Sequence, residues 1–179
     1  NLTMSEITAV SLFTGAGGMD IGFEHAGVRI LCANELNRDA CDTYAANHPE
    51  VRLIRGDLAE HMDELKQYRG RRPCVRRNAL PGVFGCRKME QNDARSQLIW
   101  RFLDVVELLR PRAFVMENVK ALAVLKKWEP IRRRYMERVS ELGYSCGRLG
   151  AECCGLWRSA EQRAGVLCRQ RSAHGCCGI

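Results

Sequence analysis

Three groups that suit nucleoside binding follow three short apolar segments of the sequence. The first segment is followed by a glycine-rich turn with Gly15, Gly17 and Gly18, the second by Glu35 and the third by Asp57. Glycine lets the backbone approach a ligand, and a helix beginning after such a turn offers free amide groups. A carboxylate after the second segment can accept hydrogen bonds from both ribose hydroxyls, and one after the third can accept from an adenine amino group. Each group is common alone, but their shared placement predicts one nucleoside site.

The elements that must position these groups alternate between strands and helices. Apolar, β-branched runs predict strands over residues 7–13, 28–33, 51–54 and 113–116, and helical spacing predicts helices over residues 19–25, 38–47, 58–67, 96–109 and 128–142. This alternation predicts an α/β fold, with a mostly parallel sheet covered by helices on both faces. Ligands of such folds bind at the carboxyl ends of the strands.

The glycine-rich turn belongs to a longer motif. Residues 11–18, followed by Asp20, Gly22 and Phe23, resemble the first signature of DNA cytosine-5 methyltransferases, whose pattern is Phe-x-Gly-x-Gly-Gly. Further signatures follow in order: Glu35 resembles the second, Asp57 the third, Arg95-Ser96 the fifth and Glu117-Asn118-Val119 the sixth. The resemblance covers most of the chain from Ile7 to about Cys146.

The resemblance implies a Rossmann-like S-adenosylmethionine-dependent methyltransferase fold, present here in incomplete form. It implies methyl transfer from S-adenosyl-L-methionine to C5 of cytosine, with double-stranded DNA as the partner of the intact family. The cofactor-binding residues that it implies are Phe13, Gly15, Gly17, Gly18, Glu35 and Asp57. Glu117 is expected to contact a flipped cytosine; the alternative is a strand-end cap beside Asn118.

The reaction also needs a cysteine, because C5 of cytosine becomes nucleophilic only after a thiolate adds to C6. The family supplies it from a Pro-Cys-Gln-Gly-Phe-Ser-like loop after the fourth strand, and no such string occurs in this sequence. Residues 71–87 stand there instead, with five arginines and no acid. Burying unpaired guanidinium groups costs several kcal/mol each, so a solvated loop is predicted. Cys74 lies in this loop, where neighbouring arginines favour a thiolate, but its surroundings indicate an ordinary surface cysteine.

A shifted reading frame explains this departure from the family. Reading each codon of residues 71–87 from its second base, with allowed codon choices, gives Val-Asp-Pro-Val-Phe-Gly-Gly-Thr-Pro-Cys-Gln-Gly-Phe-Ser-Val-Ala-Gly, whose cysteine falls at Leu80. The same shift over residues 152–169 gives a segment resembling the family's eighth signature and the strand after it. The predicted organisation is a cofactor-binding domain over residues 1–146, with an aberrant loop at 71–87, and an aberrant tail over 147–179. The target-recognition region is expected to be absent.

Composition leaves two other functions open. The 179 residues fit one domain, and the net charge of +7 is concentrated in the two arginine-rich stretches. The alternatives are a non-catalytic S-adenosylmethionine-binding fragment and a basic nucleic-acid-binding module. No leader or membrane segment is visible, which predicts a cytoplasmic protein whose ten cysteines stay reduced. The chain is also expected to be a monomer. Cys153-Cys154 and Cys176-Cys177 lack zinc-ligand spacing, so no metal is expected.

Overall fold

The fold is an open sheet with helices packed against it. The computed structural model describes residues 6–70, 74–77, 94–119, 129–149 and 163–170. The strands are β1 (Ile7–Leu12), β2 (Val28–Glu35), β3 (Arg52–Arg55), β4 (Cys74–Arg77), β5 (Ala113–Val119), β6 (Tyr144–Leu149) and β7 (Arg163–Gln170). The helices are α1 (Gly18–His25), α2 (Arg38–Asn47), α3 (Met62–Leu65), α4 (Ala94–Leu109) and α5 (Glu129–Glu141), and 3₁₀ segments Leu58–His61 and Lys66–Tyr68 flank α3.

The strand order across the sheet is β3-β2-β1-β4-β5-β7-β6. Neighbours from β3 to β5 pair in parallel, while β7 pairs antiparallel with both β5 and β6. The predicted α/β fold with a mostly parallel sheet is therefore confirmed. The chain first builds outward from β1 to β3 and then resumes on the other side of β1, which creates a crevice at the carboxyl ends of β1 and β4.

The register aligns the strand ends in one row. Ile54 pairs with Asn34, Asn34 with Leu12, Leu12 with Arg77, and Arg77 with Met116. The residues immediately after this row on β2 and β5 are Glu35 and Glu117. The sheet therefore places these two of the three predicted functional acids at its carboxyl edge.

The core lies between the central strands and α4. Val10 and Val75 are fully buried on adjacent strands, and Phe102 of α4 meets Phe114 of β5 edge to face at 5.6 Å. Phe114 also contacts the Tyr144 ring at 5.1 Å, and the Tyr144 hydroxyl donates a 2.8 Å hydrogen bond to the Pro111 carbonyl. The aromatic cluster thus joins α4, β5 and the start of β6.

The predicted solvated loop is wrong at Cys74–Arg77, because this segment is the interior strand β4. It pairs with β1 on one side and β5 on the other. Pairing uses backbone groups that every residue here possesses, and the fully buried Val75 contributes an apolar contact. The strand also occupies the positions at which the shifted frame gives Val-Phe-Gly-Gly. Residues 71–73 and 78–87 lie outside the described residues.

Two strands extend into the segment that was predicted to be an aberrant tail. β6 runs across the predicted 146/147 boundary, and β7 lies wholly within the segment assigned to the tail. β7 covers the positions at which the shifted frame gives the second family strand. Cys146 is disulfide-bonded, and the residue opposite it on β7 is Cys168. The expectation that every cysteine is reduced is therefore wrong for Cys146.

Candidate cofactor site

The glycine-rich turn joins β1 to α1 through a left-handed backbone. Phe13, Gly15 and Gly17 have φ values of 53°, 57° and 89°. Such a value is strained for Phe13, which is held there with its side chain buried. The Thr14 amide donates to the Asn34 carbonyl at 3.2 Å, and the Gly17 amide donates to the Thr14 carbonyl at 3.1 Å. The turn therefore ends with the amino terminus of α1 at the carboxyl edge of the sheet.

The two adjacent glycines serve different purposes. A Cβ at Gly17 would lie 2.4 Å from Nε2 of His48 and 2.9 Å from Cδ2 of Tyr44, so packing requires glycine there. A Cβ at Gly18 would meet no atom within 4 Å among the described residues. Open space for a ligand is therefore found at Gly18, whereas Gly17 lets side chains from the α2 region approach α1.

Glu35 organises the backbone around the predicted site. Its Oε2 accepts a 2.7 Å hydrogen bond from the Gly15 amide, and its Oε1 accepts from the amides of Leu36 and Asn37 at 2.9 and 2.8 Å. The residue is 6% exposed. A carboxylate has about four acceptor positions, so these bonds leave Oε2 able to accept one more.

Asn34 links the ends of β2 and β3. Its side-chain amide donates to the carbonyls of Ile54 and Gly56 at 3.2 and 3.1 Å, and the Gly56 amide donates to the Glu35 carbonyl at 2.9 Å. Asp57 follows immediately and is exposed. Its Oδ1 accepts a 2.9 Å hydrogen bond from the Ala59 amide, capping the 3₁₀ segment. Asp57 thus combines a local structural role with an accessible carboxylate.

Sequence analysis missed two contributors to this edge. Leu36, directly after Glu35, is 65% exposed, although most large apolar side chains of the described residues are covered. Its position between the two polar residues Glu35 and Asn37 was the available signal. Ser11 is the other: its hydroxyl donates a 2.9 Å hydrogen bond to Oδ2 of the fully buried Asp20 and so ties β1 to α1.

The carboxyl edge of β4 and β5 holds Glu117 but no cysteine among the described residues. The structure describes the backbone of Glu117, which pairs with Gly165 of β7. Strand spacing puts its backbone about 14 Å from that of Glu35, three strands away. Cys74 lies opposite Ala9, about four residues before the level of Glu117. At the usual rise per residue this is a separation of about 13 Å along the strands. Leu80 lies outside the described residues.

Burial disfavours the thiolate at each free cysteine that the structure describes. It raises the pKa of Cys32 to about 11 and also raises the pKa values of Cys41 and Cys74. The positive charge of Arg112 opposes the shift at Cys74, but the net change in its pKa is upward. The expectation that arginine neighbours favour a Cys74 thiolate is therefore wrong, since desolvation is the larger effect.

Within residues 6–70, 74–77, 94–119, 129–149 and 163–170, no cluster of three or more histidine, cysteine, aspartate or glutamate side chains has a metal-binding arrangement. No helix in these same ranges combines the length and the apolar character that a membrane crossing demands.

Known protein sequences resemble this chain. The family model for C-5 cytosine-specific DNA methylase matches residues 7–154. Type II methyltransferase M.NgoPII of Neisseria gonorrhoeae is 34% identical over 125 residues, which are 67% of this chain and 35% of that protein. Type II methyltransferase M.FnuDI of Fusobacterium nucleatum is 31% identical over 140 residues, which are 76% of this chain and 39% of that protein. The chain thus spans less than two-fifths of the length of either relative.

Solved structures share the fold. A prophage-encoded E. coli protein described as a DNA modification methyltransferase superposes with a TM-score of 0.73 at 22% identity, covering 92% of this chain and 47% of that one. The S. pombe Dnmt2 methyltransferase gives a TM-score of 0.66 at 19% identity, covering 94% of this chain and 51% of that one. The predicted Rossmann-like methyltransferase fold is therefore confirmed.

Proposed function

Because the chain belongs to the C-5 cytosine-specific DNA methylase family, we propose that it is the S-adenosyl-L-methionine-binding part of a DNA cytosine-5 methyltransferase. The observation that carries the proposal is the shared placement of the glycine turn, Glu35 and Asp57 at adjoining strand ends. Gly18 provides open space, Glu35 takes the ribose through Oε2, and Asp57 accepts from the adenine amino group. Phe13, Gly15 and Gly17 shape the turn that presents α1.

The cofactor, when bound, supplies the methyl group. The role of Glu117 is to hold a proton toward N3 of a cytosine extruded from double-stranded DNA, and its level in the sheet supports that role. The remaining requirement is a thiolate at the same edge. Cys74 lies too far down β4, and burial raises the pKa of each described free thiol. We therefore expect the chain to bind cofactor without transferring its methyl group.

Titration calorimetry with S-adenosyl-L-methionine tests the cofactor site. We expect weak but saturable binding by the folded chain, and a loss of at least about tenfold in affinity for Asp57→Ala. Glu50→Ala is the control, because Glu50 is an exposed acid shortly before β3. Absence of heat at millimolar cofactor, or the same affinity for both variants, would contradict the proposal.

Methyl transfer is tested separately with radiolabelled cofactor and cytosine-containing duplex DNA. We expect no incorporation by the 179-residue chain. Replacing residues 71–87 with the shifted-frame segment restores a cysteine at position 80, but we expect activity only when residues 147–179 are also replaced by their shifted-frame segment and a target-recognition region is supplied. Robust incorporation by the original chain, abolished by Cys74→Ser, would identify Cys74 as the nucleophile and overturn this assignment.

The basic-module alternative predicts different behaviour. Its binding to duplex DNA would weaken steeply with salt and disappear when the arginines of residues 71–87 and 147–179 are replaced by glutamine, which keeps the strands in these segments. Cofactor affinity would then be unrelated to DNA binding. We further propose that the chain is a cytoplasmic monomer, which sedimentation and cell fractionation test directly.

A further inference from the structure

We propose that His48, oriented by Glu24, is a positioning residue for the cofactor site because it fixes the amino terminus of α1. The inference rests on the proposed function and adds a residue outside the signatures that define the site. The sequence identifies His48 only as the residue that follows α2. In the structure its side chain is 1% exposed and reaches the glycine turn.

His48 contacts α1 at two points on one face. Gly17, the N-cap of α1, and Glu24, near its end, are seven positions apart and therefore two turns apart on the same side. Nδ1 of His48 lies 3.1 Å from Oε2 and 3.3 Å from Oε1 of Glu24. Because a carboxylate only accepts hydrogen bonds, Nδ1 is the donor. The imidazole thus bridges both ends of the helix.

The ring fills the volume that a side chain at position 17 would occupy. Nε2 and Cδ2 would lie 2.4 and 2.8 Å from a Cβ at Gly17. The Tyr44 ring stacks on the His48 imidazole, with the ring centroids 4.4 Å apart. His48 is therefore held between α2 and α1, and a rotation of its ring would move Gly17.

The buried Nε2 of His48 has no hydrogen-bond partner among the described residues. Burying such a group without a partner is unfavourable, so simple packing would be better served by an apolar side chain. Histidine instead supplies a donor that locks the ring to Glu24 while keeping the ring edge against Gly17. The contact at Gly17 therefore sets where α1 begins, directly before the open space at Gly18.

His61 provides an internal comparison at the other wall of the site. Its Nε2 lies 3.0 Å from the position of a Cβ at Gly56, and its Nδ1 lies 2.7 Å from Oε1 of Glu64. His61 is more exposed and contacts the turn after β3, not α1. His61→Ala therefore removes a similar histidine–glutamate pair without touching the glycine turn.

The test measures hydrogen exchange of the amides of residues 14–18 and the affinity for S-adenosyl-L-homocysteine. For His48→Ala we expect exchange to be about tenfold faster and affinity about tenfold weaker. Glu24→Ala should give a smaller change in the same direction, and Glu24→Gln should restore near-original values because its carbonyl accepts from Nδ1. His48→Phe keeps a ring but loses the donor, and it should behave like Glu24→Ala.

Val139→Ala is the control for both measurements, and His61→Ala is the control for hydrogen exchange at residues 14–18 only, because His61 lies beside the proposed cofactor site. Val139 is buried in α5, so its truncation lowers global stability without contact to the turn. Equal changes in exchange at residues 14–18 for Val139→Ala and His48→Ala, or no change in Glu24→Ala and His48→Phe, would overturn the positioning role. If His48→Ala does not fold, the Glu24 variants and His48→Phe decide whether His48 positions the turn. If the original chain binds no cofactor, the proposed function fails, while hydrogen exchange still decides the role of His48.

Discussion

The two sides of the carboxyl edge contain the same kind of sheet but different chemistry. On the β1–β3 side, Glu35, Asn34 and Asp57 bind neighbouring backbone groups and fix each strand end. On the β4–β5 side, the described free thiol of β4 is half-buried and lies well below the edge. Strand pairing depends on backbone groups, whereas ligand chemistry depends on particular side chains. Continuous strand pairing therefore does not by itself supply the side chains that a binding or catalytic site needs.

Replacing Val75 tests the comparison with the largest expected effect. Val75 of β4 and Val10 of β1 are both fully buried. If β4 is as integral as β1, Val75→Asp and Val10→Asp should each cost several kcal/mol, because an unpaired charge enters the core. Urea denaturation measures both. Ile7→Asp, on an exposed position of β1, is the control, and a Val75→Asp variant as stable as this control would show that β4 is dispensable.

Glu35→Ala tests how strongly the β2 end depends on one carboxylate. Three backbone amides lose their acceptor, and at roughly 1 kcal/mol each the free energy of unfolding should fall by about 3 kcal/mol. Glu35→Gln should recover part of this loss through its carbonyl oxygen. The urea midpoint of the exposed Glu50→Ala provides the reference. A midpoint for Glu35→Ala equal to that reference would mean that water replaces the carboxylate at no cost.

Two replacements of Asp57 separate ligand binding from local structure. Asparagine retains the cap on the Ala59 amide, so Asp57→Asn should keep the unfolding midpoint while weakening cofactor affinity about tenfold. Asp57→Ala should weaken affinity similarly and also cost about 1 kcal/mol of stability. Calorimetry and thermal denaturation of the same samples distinguish the effects. Unchanged affinity in Asp57→Asn would reduce Asp57 to a capping residue.

The smallest expected effect concerns pH and the β3 side. Hydrogen bonds from Arg52 and His61 hold the pKa of Glu64 below its ordinary value of 4.5. A carboxyl with a lowered folded-state pKa stabilises the protein above its unfolded pKa, and the stabilisation is lost as pH falls through the folded value. In Glu64→Gln the free energy of unfolding should therefore fall slightly less steeply with decreasing pH below about pH 4.5. At neutral pH its dependence on pH should match that of the original chain. The same pH dependence of stability in both proteins on the acid side would show that solvent screens these bonds completely.

Much of the β1–β3 side could be predicted from sequence because local patterns encode it. The α2 bounds at residues 38–47 were predicted as observed, and β1 differed by one residue at its end. The placement of Glu35 and Asp57 at strand ends also followed from where apolar runs stop. The roles of these residues toward a cofactor stay predictions, as does the role of Glu117.

The remaining features depend on contacts distant in sequence. β4 was missed because arginine-rich composition was given more weight than the pairing that its neighbours β1 and β5 impose. His48 was interpreted only as a residue beyond a helix end, since nothing local shows that its ring reaches Gly17. The raised pKa of Cys74 likewise depends on burial, which its own arginine neighbours do not indicate.

The hydrogen bond from the Tyr144 hydroxyl to the Pro111 carbonyl has a consequence for protein synthesis. It closes a loop of 33 residues, and Tyr144 also begins β6. Domains fold from the amino terminus as they leave the ribosome. The strands of the β1–β3 side end at Arg55 and its last edge contact joins Asp57 to Ala59, so this side can assemble on a nascent chain long before the Tyr144 bond is possible. Translational pausing between these two points would give a ribosome-bound intermediate whose ligand edge is formed while the aromatic cluster is still open.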